Sequence, residues 1–125
     1  MPRGSERFPR RARLLTSEEF RRVFRAGRRL SAGPLVVVVA ENGLGHPRLG
    51  LAISRRHARR ATARNRLRRI VRESFRRAQR RLPAVDVVVT SRPGAVQASN
   101  RDLFGALERC WERLARERPR PAPEG

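Results

Sequence analysis

Residues 34–40, PLVVVVA, form an unbroken apolar run with four β-branched valines in a row. A strand with one wet face would alternate apolar and polar side chains. A run apolar throughout reads as a strand buried on both faces, so it needs cover above and below. VDVVVTS, residues 85–91, is a second such strand. RLGLAIS, residues 48–54, alternates instead: Leu49, Leu51 and Ile53 point one way, Gly50, Ala52 and Ser54 the other.

Helical patterns supply the cover. Thr16 followed by Glu19 is a capping box opening a helix that Gly27 closes, with Phe20, Val23 and Phe24 on one face. A long helix is predicted from about His57 to Arg81, its buried stripe being Leu67, Ile70, Val71, Ser74, Phe75, Ala78 and Leu82, before Pro83 stops it. Ser99 and Asp102 cap a last helix with Leu103, Leu107, Cys110, Trp111 and Leu114 inward. The order is α-β-β-α-β-α, with room for a short extra strand near residues 28–31. That is an α+β fold, a single-domain sandwich of helices packed on a sheet. We expect the domain over residues 14–115, flanked by a basic tail at 1–13 and a proline- and arginine-rich tail at 116–125.

Charge narrows the function. Thirty-one basic residues against eleven acids leave +20, and every base is arginine. The arginine fork suits phosphates and stacks on bases. Such a charge repels itself in the compact state, and bound anions relieve that. One cysteine excludes an internal disulfide framework. No stretch approaches the roughly 20 apolar residues of a membrane span, and the N-terminus lacks the apolar core of a secretory signal. The expectation is a cytoplasmic protein with a nucleic-acid partner, no membrane and no small-molecule substrate.

The charge concentrates in RNRLRRIVRE, residues 64–73, with five arginines to one acid. On a helix, Arg64, Arg68 and Arg72 follow one edge of the apolar stripe, with Asn65, Arg69 and Arg76 just beyond. Their spacing of about 5.4 Å is close to that of successive phosphates. A solvated helix face is the ordinary explanation of a charge run, but such a face mixes its signs. Glu73 can pair with Arg69 or Arg77. Arg55, Arg56, Arg59 and Arg60 extend the patch. Phe20 and Phe24 can stack on unpaired bases or serve as plain core. Gly50, Ala52 and Ser54 can floor a groove or simply admit a helix.

Catalytic constellations are missing. His46 and His57 have no neighbouring cysteine or acid in the sequence, the acids are scattered, and Asp86 has no obvious partner. Cys110 reads as a buried thiol and Trp111 as core. The chain reads as a binder.

These residues resemble the family of protein subunits of bacterial ribonuclease P. The likeness is carried by RNRLRRIVRESFR (64–76), RLGLAISRR (48–56) and EEFRRVFRAG (18–27), with LPAVDVVVTSRPGA (82–95) and NRDLFGALERCWERL (100–114) downstream. The resemblance implies an α/β sandwich with a left-handed β-α-β crossover. It implies a catalytic RNA as partner and the 5′ leader of precursor tRNA as the substrate element. The RNA would carry the chemistry with magnesium, leaving no catalytic residue and no directly bound cofactor here. Carried over by motif, Arg64, Asn65, Arg66, Arg68, Arg69 and Arg72 would face the catalytic RNA. Phe20 and Phe24 would border the leader cleft, with Arg55 and Arg56 on its basic rim. The chain departs from the family in having arginine where lysines are frequent, and Val36, Val37 and Val38 where many members carry an aromatic. The rivals are a ribosomal or RNA-assembly protein, which the Arg-Asn-Arg helix in its strand context argues against, and a stand-alone nuclease, which would need clustered carboxylates.

Overall fold

The computed structural model describes residues 12–14 and 16–117. Its elements are α1 (Ser17–Ala26), β1 (Arg28–Ala32), β2 (Leu35–Glu41), β3 (Arg48–Ala52), α2 (Ala61–Ala78) with a 3-10 turn over Gln79–Arg81, β4 (Val85–Ser91) and α3 (Asn100–Arg116). The extra strand is present as β1. The four strands form one sheet in the order β1-β2-β4-β3. β1 and β4 run antiparallel to β2, while β3 lies parallel to β4, so α2 is the connection of a β-α-β crossover.

The valine run is buried on both faces. On one face Leu30, Leu35, Val37, Val39, Leu49, Val87 and Val89 join a core with the inner sides of α2 and α3. The stripe expected on the long helix is buried as read, including Ser74, whose hydroxyl accepts a bond from Trp111 Nε1 at 2.8 Å. Phe75 meets the Trp111 ring edge-on, centroids 5.9 Å apart. On the other face Val36, Val38, Ala40 and Val88 pack with Leu14 and Val23. That is where α1 lies.

The Thr16–Glu19 capping box forms with both of its bonds, and Gly27 closes α1 in an extended conformation. Glycine is required there by space: a Cβ would stand 2.5 Å from the Val23 carbonyl oxygen and 2.9 Å from Val38 Cγ1. Arg13 bridges the outer edge of β3 at Leu49, and Leu14 N donates to Leu49 O at 2.9 Å. Of the expected tails, residues 1–11 and 118–125 lie outside the described residues; Ala12 is buried, and α3 continues through Arg116.

The long helix starts later than expected, at Ala61 rather than His57. Ser54 explains the delay. Its carbonyl accepts the amides of His57 and Ala58, its hydroxyl accepts that of Arg56, and His57 Nδ1 lies 2.9 Å from Ser91 O. Residues 54–58 are thereby held as a turn against the end of β4, and the backbone at Arg60 is extended.

Candidate nucleic-acid interface

Strand register sorts the α1 side of the sheet into three cross-strand rows. Ala40, Asp86 and Arg48 make one; Arg29, Val38, Val88 and Gly50 the next; Ser31, Val36, Thr90 and Ala52 the last. The first row is an ionic hub. Asp86, fully buried, accepts from Arg48 Nε and Nη2 at 2.8 Å each and from Asn42 Nδ2 at 2.8 Å, and it pairs with Arg22 of α1. Arg48 Nη1 also reaches Glu19 Oε2 at 3.1 Å. Burial pushes the Asp86 carboxyl up, but the hydrogen bonds from Arg48 and Asn42 and the charges of Arg48 and Arg22 outweigh it and hold it below the usual range. The partner that the sequence did not reveal is therefore threefold.

Arg22 and Glu19 turn one side of α1 toward this hub. The opposite side, carrying Phe20 and Phe24, is turned toward the last row. Phe20 is half-buried and packs over Gly50, where an added Cβ would meet its Cζ at 2.8 Å. Phe24 remains 38% exposed. The last row forms a floor beside them, with Ser31 exposed and Thr90 and Ala52 half-buried. Arg55 and Arg56 are exposed in the turn that leaves β3 just past Ala52. Aromatic wall, small-residue floor and basic rim thus meet at the C-terminal ends of the two parallel strands, a customary place for ligands in open sheets. Ser31, Thr90 and the exposed Arg29 join this groove only through strand register, so spacing within one strand could not reveal them.

The arginine helix makes a second surface, on the other face of the sheet. Arg66 and Arg77 mark its α3 side. Arg66 Nε, Nη1 and Nη2 donate to Asn100 Oδ1, Val96 O and Ala98 O at 2.9, 3.1 and 2.6 Å. The Arg77 guanidinium stands 5.9 Å from the Phe104 ring centroid. Arg64, Arg68 and Arg72 follow the opposite edge, toward β3. Arg64 Nη1 donates back to Ala58 O and Arg59 O at 3.0 and 2.9 Å. Arg68 Nη1 donates to Asn65 Oδ1 at 3.2 Å. Asn65, Arg69 and Arg72 are exposed, and neither Arg69 nor Arg72 is in an ion pair with a described residue. Glu73 pairs with Arg76 and Arg77 rather than Arg69, and the Arg76 bond is the main cause of its lowered pKa.

The ten residues expected at RNA therefore divide. Phe20, Phe24, Arg55 and Arg56 gather at the groove. Asn65, Arg68, Arg69 and Arg72 gather on α2. Arg64 and Arg66 are turned into the protein. The two surfaces share a border, β3 and the turn that follows it.

Among the described residues no group of three or more His, Cys, Asp or Glu is placed to hold a metal ion. Cys110 is buried, and burial pushes its thiol up to about 11. No helix of the described residues is long and apolar enough to cross a membrane.

Residues 8–115 match the ribonuclease P family. The ribonuclease P protein component of Serratia proteamaculans is 44% identical over 112 residues, which cover 90% of this chain and 94% of that protein. Among solved structures, the RNase P protein of Staphylococcus aureus superposes with a TM-score of 0.75 at 25% identity, covering 81% of this chain and 93% of the other. That of Thermotoga maritima gives 0.73 at 31%, covering 82% and 96%.

Proposed function

The chain belongs to the ribonuclease P family, and from that membership we propose how its two surfaces divide the work of the endoribonuclease that removes the 5′ leader of precursor tRNA. The protein is the RNA-binding component of that enzyme, and the catalytic RNA carries the chemistry. The groove between α1 and the end of the sheet takes the single-stranded leader. Phe24, with Phe20 behind it, stacks on bases, and Arg55 and Arg56 hold phosphates, which needs no sequence code. The exposed edge of α2, with Asn65, Arg68, Arg69 and Arg72, binds the catalytic RNA.

One observation carries this division: the aromatic edge of α1 and the arginine edge of α2 lie on opposite faces of the sheet but meet along β3. One protein can thus hold two RNA strands where they converge. Magnesium acts through the RNA subunit. The positive charge supplied where RNA backbones crowd lowers the concentration of magnesium needed there. The cytoplasm, where precursor tRNA is processed, is the place of action.

The test is cleavage of a precursor tRNA at low magnesium by a bacterial ribonuclease P RNA, with and without this protein, beside a protein-only control. Rescue of correct 5′ cleavage supports the reading. Binding without rescue would leave an RNA-binding protein with no part in the enzyme, and cleavage by protein alone would overturn the assignment of chemistry to the RNA.

A further inference from the structure

The first turn of α2 begins under unfavourable conditions. Its N-cap, Arg60, offers no side-chain acceptor, and the turn holds no acidic residue. Cationic side chains stand at the end of the helix where the backbone dipole is positive. A turn of this composition should fray, yet it presents the RNA-facing edge of the helix.

Two guanidinium groups hold it. Arg64 reaches back to the carbonyls of Ala58 and Arg59 ahead of the helix, at 3.0 and 2.9 Å. Arg66 reaches the other way, to Val96, Ala98 and Asn100 before and at the start of α3, at 3.1, 2.6 and 2.9 Å. Between them Asn65 points to solvent and accepts from Arg68 at 3.2 Å. We infer that Arg64 and Arg66 serve the RNA interface as positioning residues, bracing the first turn of α2 from both sides so that Asn65, Arg68, Arg69 and Arg72 meet the RNA. This rests on the functional reading above, and it separates two arginines of the Arg-Asn-Arg motif from direct contact with RNA.

The geometry of Arg66 makes the inference specific. Three donors of one planar group meet three acceptors, and lysine, with a single ammonium, cannot span all three. Charge and shape can therefore be separated by substitution. A phosphate contact depends mainly on charge and reveals itself in the salt dependence of binding. A brace depends on shape and leaves that dependence alone.

The experiment uses the assembled enzyme, with a bacterial ribonuclease P RNA. RNA affinity is measured over a range of salt for wild type, Arg66→Lys, Arg66→Ala, Asn100→Ala, the Arg66→Lys/Asn100→Ala double variant, Arg69→Lys and Arg69→Ala, where each is folded by circular dichroism. Amide exchange over residues 96–100 is followed in the protein alone. We expect Arg66→Lys to weaken RNA binding about tenfold, with the wild-type salt slope and faster exchange at 96–100. Arg69→Lys keeps the charge, so it should lower affinity less than Arg69→Ala does, with the wild-type salt slope and wild-type exchange at 96–100. Arg69→Ala should lower the salt slope by about 0.7 to 0.9, the loss of one phosphate contact. Arg66→Lys combined with Asn100→Ala should cost less than the sum of the two. Wild-type affinity for Arg66→Lys with a lowered slope for Arg66→Ala would overturn the inference, since charge alone would then matter. If Arg66→Lys does not fold, Asn100→Ala decides by the same readouts, since it removes one of the three acceptors of Arg66. Failure of wild type to bind the RNA or rescue cleavage would sink the functional reading and this inference with it. A wild type that binds and rescues, with Arg66→Lys and Asn100→Ala keeping its affinity and its exchange at 96–100, would sink only the brace.

Discussion

Arg48 of β3 and Asp86 of β4 face each other on paired positions of two parallel strands and share two hydrogen bonds, each 2.8 Å. The pair is bidentate, its carboxylate is fully buried, and Arg22 and Asn42 complete its shell. It joins β3, β4, α1 and the turn after β2, and it fixes the roll of α1 that turns Phe24 toward the groove.

Asp86→Asn should cost about 3 kcal/mol, because it leaves the half-buried Arg48 and Arg22 charges beside a neutral amide, with only Glu19 still paired to Arg48. The native carboxyl titrates below its ordinary 3.8. Its contribution is therefore complete above that unfolded value and fades as pH falls toward the lower folded value. Denaturant unfolding should show the wild-type advantage over Asp86→Asn constant near neutrality and shrinking below about pH 4.

Phe24→Ala removes a ring already 38% exposed, so the thermal midpoint should move by no more than about 3 °C. Affinity for a single-stranded leader should fall about tenfold, the worth of one stacked base. Fluorescence anisotropy with a labelled leader oligonucleotide on the assembled enzyme measures this. Unchanged affinity would remove Phe24 from the groove.

Gly50→Ala tests the wall from beneath. The new methyl would lie 2.8 Å from Phe20 Cζ and 2.9 Å from Leu14 Cδ1, so the ring must move off its seat on Gly50 and the wall of the groove with it. Leader affinity should fall while affinity for the catalytic RNA, measured in parallel, stays at the wild-type value.

Ser74→Ala leaves the indole N–H of Trp111 buried without its acceptor. The expected loss is about 1–2 kcal/mol in urea unfolding, with no change in RNA affinity under conditions where the protein is folded.

Added sulfate or phosphate should raise the thermal midpoint of the free protein at low ionic strength, because a net charge of +20 repels itself and bound anions favour the folded state. Melting followed by circular dichroism, with and without tens of millimolar sulfate, checks it. A midpoint indifferent to anions would contradict it.

Much of this was legible in the order of residues. The period of the long helix identified Leu67, Ile70, Val71, Ser74, Phe75 and Ala78 as its buried stripe, and the capping residues Thr16 and Ser99 stood where their helices begin. Periodicity gives a residue its face but not what lies across from it. The acceptors of Arg66 are 30 to 34 residues away and the ion-pair partner in α1 of Asp86 is 64 away, so no local spacing announced them. The late start of α2 was hidden for a related reason: a strand end, at Ser91, holds His57 out of the helical path. The bonds of Arg64 and Arg66 to carbonyl groups of this protein were hidden in the same way, because charge is visible in a sequence and direction is not.

The parallel pairing of β3 with β4 also decides where the molecule can be altered without harm. The groove proposed for the leader and the first turn of α2 border the end of the sheet where these strands finish. The turn that enters β3 lies at the opposite end, about 16 Å away along a five-residue strand. Gly43, Leu44 and Gly45 are exposed there. A fluorophore or an affinity handle at the Leu44 side chain would ride at the end of the sheet away from the proposed leader groove, and would report on assembly without taking part in it.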